Sequence, residues 1–425
     1  MLPADTGASA TDVPDALTPD LRLRPGQRDF RRSNLALFAA GVATFVLLYA
    51  TQGLLPLLSA DLHLTPGQAS WTTSAATFGL ALALLPASAL SDRYGRITVM
   101  TVSMLAASVI ALALPFAPGL GALTALRALQ GAALAGLPAT AMAYLAEEVH
   151  PSALASAMGL YVAGNSVGGM AGRLVAGWVG AAWGWRWGLA AAALLALLAT
   201  AGFRLLVPAA RQFRRGPVDA RALGRTVAGH LRNPLLLRLY ALGALFMAVF
   251  GTVYNTMGFR LVAAPFHLPQ SLAASIFVVY LVGTASSAGA GRLTARLGRR
   301  GTLYVAIGLT TAGLLLSLAD SLAGALLGLV LITAGFFAGH ATASSSVGRS
   351  TATGRAQASA LYLIAYYLGN SLGGTLGADA YHSTGWPGAA TVGLTAMALA
   401  AAITLYASWR ASAARGQAPV VTLQA

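Results

Sequence analysis

The sequence predicts an all-α membrane protein in which twelve transmembrane helices form two six-helix bundles. Three observations support this: an apolar composition, twelve apolar segments of membrane-spanning length, and landmarks that recur in both halves. Of the 425 residues, 57% are hydrophobic and only 9% are charged, whereas soluble domains carry roughly 25% charged residues. So little charge suits a chain surrounded by lipid, where helices satisfy their own backbone hydrogen bonds.

The same composition argues against several other classes of protein. The chain has no cysteine, which excludes disulfides, thiol catalysis and cysteine-based metal sites. Its net charge of +15 does not indicate nucleic-acid binding, because the arginines form short clusters between apolar segments. The histidines show no metal-ligand spacing, and no phosphate-binding G-x-x-x-x-G-K-[ST] motif occurs. The sequence therefore predicts neither an enzyme nor an ATP-driven pump, and it implies no cofactor.

The twelve apolar segments set the expected domain boundaries, since a membrane-crossing helix needs about 20 apolar residues. They lie at 35–58, 69–90, 98–116, 120–145, 154–177, 187–207, 237–259, 271–291, 302–319, 322–343, 358–378 and 388–408. The longest polar interruption divides them six and six. We therefore expect a disordered tail at 1–34, a bundle at 35–207, a linker at 208–236, a second bundle at 237–408 and a tail at 409–425.

Arginines mark one set of alternating loops, with examples at Arg93, Arg211 and Arg296, whereas the opposite loops hold only Arg186 and Arg260 at their edges. Loops rich in arginine stay in the cytoplasm. Both termini and the linker are therefore expected to be cytoplasmic, in a bacterial inner membrane. The N-terminal tail lacks the early apolar stretch and cleavage site of a secretion signal, so the first span is expected to direct insertion.

The two halves share landmarks in the same order. Gly-Asn-Ser-x-Gly-Gly occurs in the fifth span at 164–169 and in the eleventh at 369–374, and Gly-Trp precedes the sixth and twelfth spans. Glycines four apart lie on one helix face and allow two backbones to pack closely. The expected packing glycines are Gly164, Gly168, Gly172, Gly369, Gly373 and Gly377. Packing does not explain the repeated Asn-Ser pair.

A duplicated bundle of this kind is a transporter architecture, with the substrate site at the interface between the halves. Because one chain holds both halves of the pathway, we expect a monomer.

Two loops in this repeat resemble the signature of a known family. Ser88–Arg96 resembles the loop G-x-x-x-D-R-x-G-R-R of the major facilitator superfamily, and Gly291–Arg300 resembles its second copy. Ser88 replaces the signature glycine of the first copy, and Ala295 replaces the aspartate of the second. The resemblance implies gating or coupling roles for Asp92, Arg93, Gly95, Arg96, Arg296, Gly298 and Arg299.

Further motifs narrow the resemblance. Leu123–Gly131 is similar to the helix-4 arginine motif of drug:proton antiporters, and Gln52–Pro56 to their first-helix proline motif. The stretches at 158–173 and 361–370 look most like the YnfM-type inner-membrane exporters of that group. The resemblance implies export of a small organic molecule by proton antiport and alternating access. The antiporters carry Gly-Pro in helix 5, where this chain has Gly168-Gly169, so coupling to protons stays open.

The loop at 146–152 departs from the charge rule, since it carries Glu147 and Glu148 and no arginine. We expect one of these acids to pair with Arg93 or Arg96. The family resemblance implies that Asp92, at a helix end, faces the start of the eleventh helix, which is positively polarised. Together these contacts would form a latch that favours the outward-facing state. The alternative is that the arginines act only as topology signals.

Arg127 and Arg173 are the charges that the span count places inside helices. A charge in hydrocarbon costs on the order of 3 kcal/mol, so it usually faces the bundle interior. We expect both arginines in the outer part of the membrane, where they attract an anionic group or repel protons. The alternative is structural: an arginine that bonds helix carbonyls or extends to the interface.

No carboxylate falls in the middle of a predicted span, so the candidate proton-coupling groups are Asp92, the Glu147–Glu148 pair and His340. Small-molecule sites combine apolar walls with a few polar groups. The expected substrate-binding residues are Tyr49, Gln52, Arg127, Asn165, Arg173, Tyr254, Asn255, Phe337, His340, Tyr367 and Asn370. Because the embedded charges are positive, they favour a neutral or anionic substrate.

Two alternatives to a proton-coupled exporter remain open. One is an uncoupled or proton-symport carrier of a small neutral or anionic metabolite, such as a sugar, organic acid or amino acid. The other is a membrane receptor or scaffold that kept the fold without transport. The expected partners are a small-molecule substrate, protons and the lipid bilayer.

Overall fold

The computed structural model describes residues 22–213, 220–351 and 353–416. In the first half, the helices are α1 Arg28–Asp61, α2 Pro66–Tyr94, α3 Arg96–Phe116, α4 Leu120–Glu148, α5 Pro151–Trp183 and α6 Trp185–Leu206. A linker helix, Ala220–Leu231, follows. In the second half, the helices are α7 Pro234–Val262, Gln270–Leu316, α10 Leu322–Arg349, α11 Arg355–Thr384 and α12 Trp386–Gly416. The segment Gln270–Leu316 bends at Gly298 into α8 (270–297) and α9 (299–316).

Nine helical segments of the described residues are long and apolar enough to cross a membrane by themselves. One of the nine contains both α8 and α9. The glycine-rich helices α5 and α11 are also long enough to cross, at 33 and 30 residues. The structure thus contains the twelve predicted spans, in the predicted order and in two bundles.

The structure differs from two predicted boundaries and adds a helix to the linker. Helix α1 begins at Arg28, inside the expected disordered tail, and Leu23 just before it pairs with Val149 in a short parallel bridge. The linker expected at 208–236 contains a helix of its own, and α12 extends past 409 to Gly416. Residues 1–21, 214–219 and 417–425 lie outside the described residues.

The two signature loops require glycine for a conformational reason. Gly95 ends α2 with φ +98°, and Gly298 separates α8 from α9 with φ +70°. Side chains rarely adopt this backbone region, whereas glycine adopts it at little cost. Each glycine therefore turns the chain sharply between two membrane helices, which fixes the positions of the charged residues beside it.

The repeated glycines pack their helices closely in both bundles, as predicted. A Cβ placed on Gly164, Gly168 or Gly172 would collide with the α1 backbone at Phe38, Val42 or Val46. In the second bundle, the same contacts join Gly369 and Gly373 of α11 to Ala244 and Ala248 of α7, and Gly377 to the side chain of Thr252. The contacted residues are also four apart, so α5 lies on α1 as α11 lies on α7.

Helix α1 is interrupted near its middle by a tighter 3₁₀ turn at Ala50–Leu54. Pro56 stands at the start of the resumed helix and has no N–H to donate to the Gln52 carbonyl four residues back. Gly53 lies within the turn, and a Cβ there would collide with the Arg173 carbonyl of α5. This turn brings α1 side chains and free carbonyls to the interface between the bundles.

The loops define two faces of the protein. We call the side with the α2–α3, α4–α5 and α10–α11 loops the Asp92 face, and the side with the α1–α2 and α5–α6 loops the Arg173 face. Helices α2 and α11 lie against each other across the two bundles. The linker helix packs at the Asp92 face against α7 and α11, and the His230 ring bonds the Gly354 carbonyl at 3.0 Å.

Candidate functional site

Arg127 is fully buried and holds the interrupted part of α1. Its guanidinium donates to the Leu47 carbonyl at 2.6 Å and to the Leu48 carbonyl, both just before the 3₁₀ turn. It also donates to the Thr72 carbonyl of α2 at 2.9 Å and to the Gln130 side chain. These contacts with helix carbonyls correspond to the structural alternative for Arg127, while its predicted roles in gating and substrate binding stay predictions.

Arg173 lies on α5 with 1% of its surface exposed. Its Nε donates to Gln52 Oε1 at 2.6 Å and its Nη1 to the Gly169 carbonyl at 2.6 Å. The guanidinium carbon lies 4.1 Å from the ring centre of Tyr49 and 4.7 Å from that of Tyr280. Among the described residues, no carboxylate forms an ion pair with it. Arg173 is therefore a buried cation stabilised by rings and neutral oxygens.

A chain of hydrogen bonds leads from Arg173 across the bundle interface. Gln52 Nε2 donates to Asn255 Oδ1 of α7 at 2.5 Å, and Asn255 Nδ2 donates to Ser70 Oγ of α2 at 2.6 Å. Ser70 Oγ in turn donates to the Gly374 carbonyl of α11 at 3.0 Å. The chain passes between the two bundles three times, so it ties them together beside Arg173.

Other contacts between the bundles lie toward the same face. Trp178 Nε1 of α5 donates to Ser275 Oγ at 3.0 Å, and Gln270 Nε2 donates to the Gly53 carbonyl at 3.2 Å. Gly177 packs directly against Ala274. The bundles are thus closed against each other at the Arg173 face.

An aromatic cluster in the second bundle continues from Arg173 toward the Asp92 face. Tyr254 stacks on Phe277 at 5.5 Å, and Phe250 stacks on Phe336 at 3.9 Å. The predicted residues Phe337, His340 and Tyr367 belong to the same connected set of rings, together with Tyr280 and Tyr366.

His340 is held within this cluster. Its Nδ1 lies 2.9 Å from the Tyr362 hydroxyl, and its ring lies 4.7 Å from that of Tyr366. The side chain is half-buried. This environment gives His340 a hydrogen-bonded packing position, and its predicted role in coupling stays a prediction.

The repeated asparagines lie against glycines of neighbouring helices. The Asn165 side-chain oxygen lies over Gly41 of α1, and that of Asn370 lies over Gly251 of α7. Asn370 Nδ2 also donates to Thr77 Oγ1 of α2 at 3.2 Å, across the bundle interface. The structure thus gives the Asn positions a packing role, while their predicted contact with substrate stays a prediction.

The predicted ion pair at the Asp92 face is present, and Arg96 and Glu147 form it. Arg96 Nη2 lies 2.7 Å from Glu147 Oε1, and Arg96 Nη1 donates to Asp92 Oδ1 at 2.5 Å. Arg93 instead lies over the Tyr94 ring, 5.4 Å from its centre. Asp92 and Glu147 therefore share Arg96 within the first bundle.

Glu148 has different partners from Glu147. Glu148 is buried, with 1% of its surface exposed. Its carboxylate accepts the backbone N–H groups of Arg211 and Gln212, each at 2.8 Å. The Glu148 carbonyl accepts the N–H of Leu23 at 2.7 Å. Of the two acids, Glu147 thus forms the ion pair with Arg96, and Glu148 anchors the start of the linker.

Replacing Glu148 with glutamine should destabilise the protein by about 1–3 kcal/mol, because the amide NH₂ would oppose backbone N–H donors. The matched change Glu147→Gln should cost less than about 1 kcal/mol, since Glu147 is 31% exposed and exposed ion pairs contribute little. Thermal unfolding of both purified variants measures the difference. Equal losses would contradict the anchoring role of Glu148.

The second signature copy lacks an equivalent charge network among the described residues. Ala295 stands in place of the aspartate, Arg296 is exposed, and Arg299 is half-buried after the turn at Gly298. The two bundles therefore differ in charge chemistry at this face, although their backbones turn alike.

A cleft of about 240 Å³ opens at the Asp92 face between α2, the linker helix and the start of α11. Asp92 and Ser88 line one wall, and Ala356 and Gln357 line the opposite wall. Asp92 thus faces the start of α11, as expected, but its hydrogen bond goes to Arg96 within its own bundle.

Sequence reasoning missed several residues that complete the site. Ser70, Tyr280 and Phe277 surround the predicted Gln52, Asn255 and Arg173. Ser70 is an ordinary small polar residue in a span, and only its contacts distinguish it. Phe277 and Tyr280 are aromatic residues of α8, but their positions in the sequence do not reveal that they lie beside Arg173 of the other bundle.

The fold and its polar interior are those of a secondary transporter. The sequence model of the Major Facilitator Superfamily matches residues 37–374, and the chain belongs to this superfamily. The inner membrane transport protein YnfM of Escherichia coli is 40% identical over 381 residues, covering 90% of this chain and 91% of the relative. The uncharacterized MFS-type transporter YybF of Bacillus subtilis is 39% identical, covering 90% and 94%. The chain is thus a multi-pass membrane transporter of the YnfM type and not an enzyme.

Solved structures support the same architecture. A bacterial homologue of the human lysosomal transporter Spinster, in an inward-facing and occupied conformation, gives a TM-score of 0.69 at 19% identity, covering 90% of this chain and 97% of the other. The nucleoside transporter NupG gives a TM-score of 0.68 at 13% identity, covering 88% of this chain and 98% of the other. At these identities the likeness concerns the fold alone.

Proposed function

We propose that this transporter exports a small organic molecule across the inner membrane by alternating access, and that the structure is its cytoplasm-open state. The observation that carries the proposal is the difference between the two faces. Cross-bundle hydrogen bonds close the Arg173 face, whereas a cleft separates α2 from the start of α11 at the Asp92 face. A carrier open on one side has this asymmetry, and a scaffold has no need of it.

The charge distribution supports a cytoplasmic Asp92 face. Arg93, Arg96 and Arg296 lie in its loops, and arginine-rich loops stay in the cytoplasm. On this orientation both termini are cytoplasmic, and substrate enters through the Asp92 face. A single chain supplies both bundles, so the proposed transporting unit is a monomer.

Asp92 is the proposed latch of the opposite, outward-open state. In the present conformation it bonds Arg96 across the cleft from Ala356 and Gln357. Closure of the cleft would bring its carboxylate to the N-terminus of α11, which carries about half a positive charge. An ionised Asp92 would then stabilise the closed cytoplasmic side, and its protonation would release it.

Proton antiport through this latch is the proposed coupling, and an uncoupled carrier is the second candidate. One observation favours the second: Arg127 and Arg173 are buried within membrane helices, whereas the carboxylates of the described residues lie at or near helix ends, such as Asp92 and Asp379. Moving one negative charge out of a cell is favoured by about 2.3 kcal/mol per 100 mV of membrane potential. An anionic substrate could therefore leave without protons.

Flux in proteoliposomes tests both. The protein would be reconstituted with a pH dye, and lipophilic cations, organic anions, sugars and amino acids would be added one at a time. A substrate-dependent proton signal supports antiport, and exchange of labelled substrate without a proton signal supports the uncoupled carrier. Absence of flux for every compound would contradict transport.

Asp92→Asn should slow transport about tenfold or more, because a neutral amide interacts only weakly with the positive end of α11. The control Asp61→Asn removes an exposed carboxylate at the other face, which pairs with Arg186 at 3.4 Å, and should leave the rate unchanged. Initial rates in the same vesicles measure both. An unchanged rate in Asp92→Asn would contradict the proposed latch, but it would not contradict transport by this protein.

A further inference from the structure

Arg173 is a buried cation without a carboxylate partner among the described residues. It is 1% exposed, and a buried cation is expensive unless an opposite charge accompanies it. Arg211, Arg186 and Arg96 each have a carboxylate partner. Among the described residues, Arg173 has only neutral oxygens and rings around it. An anion from outside the chain would supply the missing charge.

The surroundings of Arg173 indicate the kind of anion. The Tyr280 side chain is buried beside Arg173, and its ring lies 4.7 Å from the guanidinium. The Tyr280 hydroxyl and the guanidinium are both donors that a carboxylate accepts well. Beyond them lie the rings of Tyr254, Phe250 and Phe336. This combination fits a small carboxylate with an apolar or aromatic body.

We propose that Arg173 binds the carboxylate of a small organic acid, and that this anion displaces Gln52 and thereby opens the Arg173 face. The inference rests on the proposed carrier function and specifies its substrate class and the event that triggers the outer gate. We call the hydrogen-bonded chain of Gln52, Asn255, Ser70 and the Gly374 carbonyl the outer gate.

Gln52 links its own displacement by the anion to the opening of the outer gate, because one amide group makes both contacts. Its single amide group accepts from Arg173 Nε at 2.6 Å through Oε1 and donates to Asn255 Oδ1 at 2.5 Å through Nε2. A carboxylate brings a full negative charge to the Arg173 guanidinium, whereas the amide oxygen of Gln52 is neutral, so the carboxylate is the stronger acceptor. An anion on Arg173 therefore replaces Gln52 Oε1, and the freed amide turns away from Asn255.

Loss of the Gln52 contact weakens the rest of the gate. Asn255 keeps its bond to Ser70 but loses the partner that orients its amide. The remaining contacts at this face, such as Trp178 with Ser275 and Gly177 with Ala274, do not involve Gln52 or Asn255. The empty carrier thus keeps its outer side closed, and the loaded carrier releases it.

The lack of native cysteine makes the gate directly measurable. Ala274→Cys places one thiol where α8 packs against Gly177 of the other bundle, a position that is 2% exposed. Ala356→Cys places one thiol in the cleft at the Asp92 face. Labelling rates of the purified full-length protein with a charged maleimide report the opening of each face.

Benzoate is the first probe, with phenylacetate and hexanoate beside it and neutral benzamide as the control. We expect the carboxylates to raise the labelling rate of Ala274→Cys several-fold and to lower the labelling rate of Ala356→Cys. Benzamide should change neither rate. Failure of all three carboxylates to change labelling at position 274 would overturn the proposal.

Two variants separate the steps. Gln52→Leu removes the bridge, so it should raise labelling at position 274 several-fold without any probe. The control Thr395→Val removes a lipid-side hydroxyl that bonds only its own helix and should leave labelling unchanged. If Gln52→Leu left the labelling rate at position 274 unchanged, the bridge would not hold the gate closed, and the proposal would be overturned.

Arg173→Gln should abolish the response to benzoate, and Arg173→Lys, which keeps the charge, should retain a weaker one. Size-exclusion profiles identify any variant that fails to fold. If Arg173→Gln fails to fold, the benzoate response of Arg173→Lys tests the proposal. A full benzoate response in Arg173→Gln would place the anion elsewhere. Gate opening without flux in vesicles would contradict export while leaving this site intact, so the two proposals can fail separately.

Discussion

Replacement of Arg127 by leucine is expected to destabilise the first bundle by on the order of 3 kcal/mol. The change removes donors to the Leu47 and Leu48 carbonyls, which lie where α1 changes from an α-helix to a 3₁₀ turn. It also removes the bond to the Thr72 carbonyl of α2. Buried acceptors left without partners cost about 1–3 kcal/mol each, and lipid offers no replacement donors.

Thermal unfolding in detergent measures this loss, with Arg186→Ala as the control. Arg186 is 49% exposed and lies 3.4 Å from Asp61, so its removal should change stability by less than about 1 kcal/mol. Arg127→Lys should fall between the two, because an ammonium cannot reach acceptors on two helices in the geometry of a guanidinium. If Arg127→Leu were as stable as the control, Arg127 would be free for a role in transport.

Replacement of Gly168 by valine is expected to separate α5 from α1. A Cβ at this position would lie 2.5 Å from the Val42 carbonyl oxygen and 2.6 Å from Val42 Cα, and backbone atoms cannot move aside as a side chain does. Forcing extra atoms into a close-packed contact costs about 1–3 kcal/mol or more. Because Gly164 and Gly172 make the same kind of contact, the whole helix pair must shift.

Gly159→Val is the matched control for this change. Gly159 lies in the same helix, and a Cβ there meets nothing within 4 Å, so the intrinsic helix preferences of glycine and valine cancel in the comparison. We expect Gly168→Val to lower the unfolding temperature and the yield of monodisperse protein, and Gly159→Val to change neither. Similar behaviour of the two variants would contradict close packing at Gly168.

The glycine contacts could be predicted because they depend only on periodicity. Glycines four apart lie on one helix face whatever the rest of the fold does, so Gly164 and Gly168 indicated close packing from the sequence alone. The sequence did not reveal the partner helix. That α5 lies on α1 through Val42 follows from the arrangement of whole helices in three dimensions.

Charges were only partly predictable. A pair between Arg93 or Arg96 and one acid of the 146–152 loop was expected, because an acidic loop among basic loops suggests a local partner, but the sequence did not select Arg96 and Glu147. The contact of Glu148 with the N–H groups of Arg211 and Gln212 had no signal, since every residue except proline carries an N–H. Backbone partners of a side chain cannot be deduced from residue types.

The Arg173 site shows the same limit. Gln52, Asn255 and Arg173 were each expected near the substrate pathway, but their order in one hydrogen-bonded chain was not. Three polar residues on three helices can be connected in many ways, and only the rotation of each helix selects one. The 3₁₀ turn in α1 sets the rotation of Gln52, and Pro56 alone does not predict it.

The contacts of the linker limit how far the two bundles can swing apart. Glu148 fastens the linker to the first bundle at Arg211 and Gln212, and His230 fastens it to Gly354 of the second. Between these anchors lies the linker helix Ala220–Leu231, which has a fixed length of about 18 Å. The linker therefore restrains the relative movement of the two bundles through contacts that lie outside the transport pathway.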